Sequence, residues 1–115
     1  MEKGRIVICA AGTGNPYFST DTAAALRAAE LSCDAIYKAT QVDGIYNKDP
    51  KKFKNAKKYD KISYKKYLND NLKVMDSSAI TVAQDNSIPI IVFSIAENNC
   101  LIKTYNGKNK FTEIS

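Results

Sequence analysis

A polar loop between an apolar run and a helix is the first part of this sequence that could carry chemistry. Residues 10–31 read AAGTGNPYFSTDTAAALRAAEL, so glycines, hydroxyls and an amide precede an alanine-rich helix. A loop that leaves a parallel strand and enters a helix gathers free backbone N–H groups at the positive end of the helix dipole, which favours anions. The loop matches neither GxGxxG nor a Walker loop, so an ordinary βα turn fits the local pattern as well. Asp21 is either a helix N-cap or a carboxylate that orients a cation at a reaction centre.

A second polar segment follows the next predicted strand. Residues 38–50 read KATQVDGIYNKDP and lie at the same edge of the expected sheet as the first loop. Tyr46 offers an aromatic face to an adenine, while Thr40 and Asp49 offer polar groups to a base or a ribose. The alternative is structural, with Asp43 and Gly44 in a turn and Asp49 at a loop exit.

The remaining pattern predicts the elements that position these two segments. Strands are predicted at 5–10, 34–40 and 88–95, and the first and last are apolar enough to be covered on both faces. Helices are predicted at 22–31, 63–69 and 76–86, with Ile80, Val82 and Ala83 facing inward in the last. Residues 41–62 are predicted as a long loop, and residues 100–114 as a hairpin around NGKN. The expected fold is α/β, a mostly parallel sheet with flanking helices and a C-terminal antiparallel hairpin at the sheet edge.

Composition narrows the function further. A length of 115 residues and 44% hydrophobic content predict one domain over residues 1–115. The absence of histidine and of any CxxC spacing excludes a zinc site, a Cys-His pair and a Ser-His-Asp triad. Cys9 is expected in the core, and the protein is expected to be cytoplasmic, with no membrane span. Nine lysines against two aspartates at 48–66 supply most of the net charge of +5, and we interpret them as a solvated face rather than a nucleic-acid surface.

With its segments in order, the chain resembles the bacterial uridylate (UMP) kinases of the amino acid kinase superfamily. The resemblance covers residues 4–114 and rests on AAGTGNPYFSTDTAAALRAAE, KATQVDGIYNKDP and KVMDSSAITVAQDNSIPIIVF. It implies a transferase of pyrimidine nucleotide biosynthesis that reversibly moves the γ-phosphoryl group of ATP to UMP, giving UDP and ADP, with Mg²⁺. Such a reaction needs in-line placement and positive charge more than covalent chemistry, which is consistent with the absence of histidine.

The resemblance also assigns roles to individual residues. Asp21 is the expected catalytic residue, because it would organise the charged groups of the transfer, and no residue is assigned to a metal. Asp76 matches a further acid of the family but equally suits a helix cap, so it stays outside the site. The residues assigned to UMP are Thr13, Gly14, Asn15, Pro16, Tyr17, Phe18, Ser19 and Thr20, and those assigned to ATP are Thr40, Tyr46 and Asp49, with weaker support for Lys38, Asp43 and Gly44.

The resemblance is to the carboxy-terminal half of such a kinase. It implies an amino-terminal half that would carry a glycine-rich phosphate loop, so we expect little or no activity from this chain alone. Family members form homohexamers, and we do not expect this carboxy-terminal half to assemble in the same way by itself. The alternative function is a non-catalytic nucleotide-binding fragment or a regulatory, partner-binding remnant, and an RNA-binding surface at 48–66 is a weaker alternative.

Overall fold

The computed structural model describes residue 4 and residues 6–10, 19–96 and 98–115. Within these ranges, the chain forms four helices and six strands. In order they are α1 (Thr20–Glu30), β1 (Ile36–Thr40), β2 (Ile45–Tyr46), β3 (Lys58–Tyr59), β4 (Lys61–Ile62), α2 (Tyr64–Asn69), α3 (Ser77–Asp85), β5 (Ile90–Ser94), α4 (Cys100–Tyr105) and β6 (Phe111–Ile114).

Four of the strands form one sheet in the order β1-β5-β6-β4. Strand β5 is parallel to β1 and antiparallel to β6, and β6 is parallel to β4. The β5 sequence IIVFS is almost wholly buried, as expected of a central strand covered on both faces. A separate two-stranded ribbon joins β2 to β3 in antiparallel register. The predicted fold class, α/β with a mostly parallel sheet, flanking helices and an antiparallel pair, is confirmed.

Helices α1 and α3 pack against each other through small side chains. Ala25, Ala79 and Ala83 are fully buried, and Ile80 of α3 joins them in the hydrophobic core. Alanine combines high helix propensity with a small side chain, so the two helices can approach closely. This packing sets the position of both helix N-termini, which matters for the site described below.

Two of the strand predictions are wrong. Residues 6–10 form no strand, Cys9 is exposed rather than in the core, and Ile6 and Ile8 are 95% and 87% exposed. The β-branched composition correctly marks strand propensity, but burial needs a partner, and within the described ranges no strand pairs with this run. The predicted hairpin is wrong in its first half, because residues 100–105 form α4 and β6 pairs with β5 instead.

The NGKN sequence ends a helix rather than turning a hairpin. Gly107 has a left-handed φ of 72°, and its N–H donates to the carbonyl of Thr104, while the N–H of Lys108 donates to the carbonyl of Lys103. Bonds of this kind terminate helices at a glycine. An Asn-Gly pair serves both purposes, which explains the wrong prediction. The expected loop over 41–62 also differs, because it contains β2, β3 and β4.

Candidate functional site

The start of α1 brings the predicted catalytic carboxylate to a lysine of β1. Ser19 is the N-cap of the helix and accepts a hydrogen bond from the N–H of Thr22 at 3.2 Å, which leaves Asp21 in the first turn. Lys38 lies on the inner face of β1, because strand alternation places it on the same side as the buried Ile36. Its Nζ donates to Oδ1 of Asp21 at 2.6 Å, and both side chains are largely shielded from solvent.

The start of α3 meets the start of α1. The N–H of Asp76, the N-cap residue of α3, donates to Oδ2 of Asp21 at 3.3 Å, and the hydroxyls of Thr22 and Ser78 lie 2.8 Å apart. Asp76 makes no side-chain cap hydrogen bond. Two positive helix ends and the ammonium of Lys38 therefore converge on one region, where the carboxylate of Asp21 holds them together.

A cleft of ≈ 540 Å³ lies beyond the carboxyl end of β1. Tyr46, Asp49 and Gly44 of the predicted ATP residues line one wall. A second stretch of the chain also lines the cleft, residues 71–74, which precede α3 and are not predicted to belong to the site. Their sequence, NLKV, offers two apolar side chains, one amide and one lysine, so residue type gives little signal. Only the place of Lys73 and Val74 in the KVMDSS segment points to the site. A cleft with one aromatic wall and one aliphatic wall suits a flat, largely apolar group.

Hydrogen bonds fix two of the side chains expected to contact ATP, those of Tyr46 and Asp49. The hydroxyl of Tyr46 donates to Oδ1 of Asp43 at 2.8 Å, and this bond to a carboxylate, with a smaller effect of burial, raises the pKa of Tyr46 above its ordinary value. Oδ1 of Asp49 accepts from the N–H of Lys51 at 2.9 Å. The ring of Tyr46 is thus held as a neutral aromatic surface at the cleft wall.

The other predicted residues divide into three groups. Thr40 ends β1, and its carbonyl accepts from the N–H of Ile95, but Thr40, Lys38 and Asp21 do not line the cleft. Ser19 and Thr20 lie at the α1 start, as described above. The remaining residues predicted to bind UMP, at 13–18, lie outside the described residues.

The described part of the chain contains no group of three or more histidine, cysteine, aspartate or glutamate residues placed to hold a metal ion. Mg²⁺ at kinase sites is bound by one or two carboxylates together with the substrate phosphates, so the ion implied by the resemblance would enter with ATP. Across the same residues, no helix combines the length and the apolar character needed to cross a membrane.

Comparison with known proteins gives one consistent family. The uridylate kinase of Anaplasma marginale is 56% identical over 115 residues, which are 100% of this chain and 47% of that protein. The uridylate kinase of Zymomonas mobilis is 57% identical over 107 residues, or 93% of this chain and 44% of that protein. The crystal structure of UMP kinase from Ureaplasma parvum superposes with a TM-score of 0.87 at 44% identity, over 90% of this chain and 45% of that one.

The chain therefore spans about half the length of the curated relatives that it matches. The sequence pattern of the Amino acid kinase family matches residues 1–94, which is most of the chain. From this match and from the agreement of the fold, we conclude that the chain belongs to the amino acid kinase family.

Proposed function

We propose that this chain is the nucleotide-binding part of an ATP:UMP phosphotransferase, which transfers the γ-phosphoryl group of ATP to UMP. The observation that carries the proposal is the 56% identity to a uridylate kinase along the whole of the chain. The geometry supports the proposal. Positive groups converge at Lys38 on β1, and the residues that follow β1 line a cleft with an aromatic wall.

The cleft is the proposed site of the adenosine of ATP. Its base would lie between the ring of Tyr46 and the aliphatic wall at 71–74. Asp49 keeps a carboxylate oxygen for a ribose hydroxyl, since its Oδ1 is occupied by a backbone N–H. The aromatic contact and the apolar wall together would exclude water from both faces of the base.

The starts of α1 and α3 form the proposed site of the reacting phosphates. Lys38 supplies a localised positive charge, and Asp21 holds that charge in place through a bond of 2.6 Å. Such preorganised charge stabilises the transition state of phosphoryl transfer, in which negative charge spreads over the oxygens of the moving group. Asp21 acts here by placing Lys38 and the α3 start, rather than by accepting a proton.

The acceptor is proposed to bind along residues 13–20, whose last two members precede and begin α1. An oxygen of the UMP phosphate would attack the γ-phosphorus of ATP as the bond from that phosphorus to the β,γ-bridging oxygen breaks, so that UDP and ADP form directly. Mg²⁺ bound to the phosphates of ATP would neutralise part of their charge.

The proposal is tested by measuring UDP formation from ATP and UMP. We expect little or no turnover by this chain alone, and turnover when a polypeptide is added that corresponds to the amino-terminal half of a relative such as the Anaplasma marginale enzyme. In the mixture, Lys38→Met should lower kcat roughly 10²-fold or more. Lys65→Met is the matched control, because Lys65 is an exposed residue of α2 outside the site, and it should leave kcat unchanged.

The alternative is a nucleotide-binding fragment without catalysis, for which the cleft lined by Tyr46 and Asp49 is sufficient. Calorimetric titration with the non-hydrolysable analogue AMP-PNP separates the two functions. Binding without UDP formation, even after the complementary polypeptide is added, would support the alternative and contradict the kinase proposal.

A further inference from the structure

Thr112 is a polar residue in the middle of the hydrophobic core. It lies on β6, where alternation turns Thr112 and Ile114 inward, and both are 0% exposed. Burial of a hydroxyl is unfavourable unless its hydrogen-bonding capacity is used. The hydroxyl of Thr112 is both an acceptor and a donor: it accepts a hydrogen bond from the N–H of Ile45 at 2.8 Å and donates one to the carbonyl of Tyr59.

These two bonds join β6 to both strands of the β2-β3 ribbon. Ile45 and Tyr59 are directly paired in that ribbon, and the next pair is Tyr46 with Lys58. A ribbon of two residues on each side is too short to be stable alone. The Thr112 bridge, meaning its bonds to Ile45 and Tyr59, therefore supplies support that the ribbon itself lacks.

Lys58 adds a second link between the same elements. Its Nζ donates to the carbonyl of Phe111, the neighbour of Thr112 in β6, at 3.0 Å. Both residues of β3 are thus tied to β6, one through its backbone and one through its side chain. The effect is to hold the backbone at Ile45, and with it the Cα of Tyr46, in a fixed position relative to β6.

The fit around Thr112 is close on the cleft side as well. A Cβ atom at Gly44 would lie 2.6 Å from Oγ1 of Thr112 and 2.8 Å from Cδ of Lys58. Atoms that near would overlap, so only glycine lets the backbone pass this close to the hydroxyl. Gly44 and Tyr46 both line the cleft, so the Thr112 bridge lies immediately behind the wall expected to contact the adenine.

We propose that Thr112 is a positioning residue for ATP binding, which acts by holding Tyr46 at the cleft wall through the backbone of Ile45. This inference rests on the proposed function, since it gives the cleft to ATP. The physical basis is preorganisation: a wall already fixed before the ligand arrives does not lose conformational freedom on binding. Without the hydroxyl, the N–H of Ile45 and the carbonyl of Tyr59 would seek other partners, and the ribbon would move.

The test compares three variants of the present chain by calorimetric titration with AMP-PNP. Thr112→Val keeps the shape and removes the hydroxyl, whereas Thr112→Ser keeps the hydroxyl and removes a methyl group. The matched control is Thr104→Val on α4, because Thr104 is also buried, at 4% exposed, and also makes a side-chain hydrogen bond, to Asn109. Thr104 does not line the cleft. Thermal unfolding of each variant is measured in parallel.

We expect Thr112→Val to raise the Kd for AMP-PNP roughly tenfold and Thr112→Ser to keep the Kd within about twofold of the wild-type value. Thr104→Val should lower the Tm and leave the Kd at the wild-type value. A purely structural role would lower the Tm of Thr112→Val and leave its Kd for AMP-PNP unchanged. That result would overturn this inference but not the proposed function. Equal weakening by Thr104→Val would overturn it too. A wild-type chain that binds no AMP-PNP would refute the ATP cleft itself, and the inference with it.

Hydrogen exchange of the wild-type chain gives a readout that needs no mutation and decides the matter if Thr112→Val fails to fold. The amide of Ile45 should exchange far more slowly before any nucleotide is added than the amide of Lys54, which lies in an exposed turn. An Ile45 amide that exchanges as fast as that of Lys54 would show that the Thr112 bridge does not hold the wall.

Discussion

The contact between Asp21 and Lys38 gives the most direct test of the site. At a separation of 2.6 Å, two unit charges attract by about 6 kcal/mol at an effective dielectric constant of about 20 and by about 1.6 kcal/mol in water. The side chains of Lys38 and Asp21 are 27% and 17% exposed, so desolvation offsets much of the attraction. We therefore expect a net coupling free energy of about 1–2 kcal/mol between the two side chains.

A double-mutant cycle measures this coupling. The free energy of unfolding is determined by urea titration, followed by circular dichroism, for the wild type, Asp21→Asn, Lys38→Met and the double variant. The coupling is the amount by which the sum of the two single effects exceeds the effect of the double variant. The cycle needs no activity, so it tests the geometry independently of the reaction.

The chain offers a matched control in an exposed ion pair. Arg27 and Glu30 lie on α1 at 2.9 Å, but their side chains are 36% and 59% exposed. Their cycle, with Arg27→Met and Glu30→Gln, should give no more than about 0.5 kcal/mol. If the Asp21–Lys38 cycle gave a value no larger than this control, the reasoning that Asp21 fixes Lys38 would be refuted.

Three further predictions concern stability. Burial raises the pKa of the Tyr67 hydroxyl. The contribution of this shift to stability is therefore complete below about pH 10 and is lost as the pH rises through the folded-state pKa. Urea unfolding at increasing alkaline pH should show the free energy of unfolding fall, and Tyr67→Phe should make that fall shallower. Gly44→Ala, whose methyl group would meet the β6 threonine hydroxyl at 2.6 Å, should destabilise the fold by about 1–3 kcal/mol. By contrast, Gly107→Ala meets nothing within 4 Å and should cost about 1 kcal/mol from its left-handed φ, as the two urea midpoints will show. Ile80→Ala removes a fully buried side chain and should cost about 2–5 kcal/mol, against no more than about 0.5 kcal/mol for the exposed Gln84→Ala; equal losses in this pair would contradict the assignment of the α3 core face.

The elements that depend on local pattern could be predicted from the sequence. Helix α1 has an alanine-rich body and a Ser19 cap, and α3 starts one residue after Asp76, so composition and capping residues place both to within about two residues. Strand β5 is recognised by its continuous apolar run. Propensity and tertiary structure agree at these places.

The errors occurred where a distant partner decides the outcome. Residues 6–10 have the composition of a strand, but composition does not supply a neighbour for it. The wall at 71–74 was missed because packing of its apolar side chains creates the cleft, and such residues look the same in any core. The role of Thr112 was missed for a related reason, because its bonds to Ile45 and Tyr59 cross more than fifty residues of sequence.

Different side-chain contacts hold the two ends of the proposed site. The position of Lys38 depends on the packing of α1 against α3, whereas the wall carrying Tyr46 depends on bonds from β6. Residues 41–44 connect these ends along the chain, between the last residue of β1 and Ile45. In the proposed function, the base of ATP contacts one end and its γ-phosphate contacts the other. Lys38 and Thr112 are both paired with Val92 of β5, so the sheet links the two ends. Loss of the Thr112 hydroxyl should act on nucleotide affinity, because it removes the bonds to the β2-β3 ribbon, and loss of the Lys38 charge should act on transfer, because it removes a positive group at the proposed phosphate site.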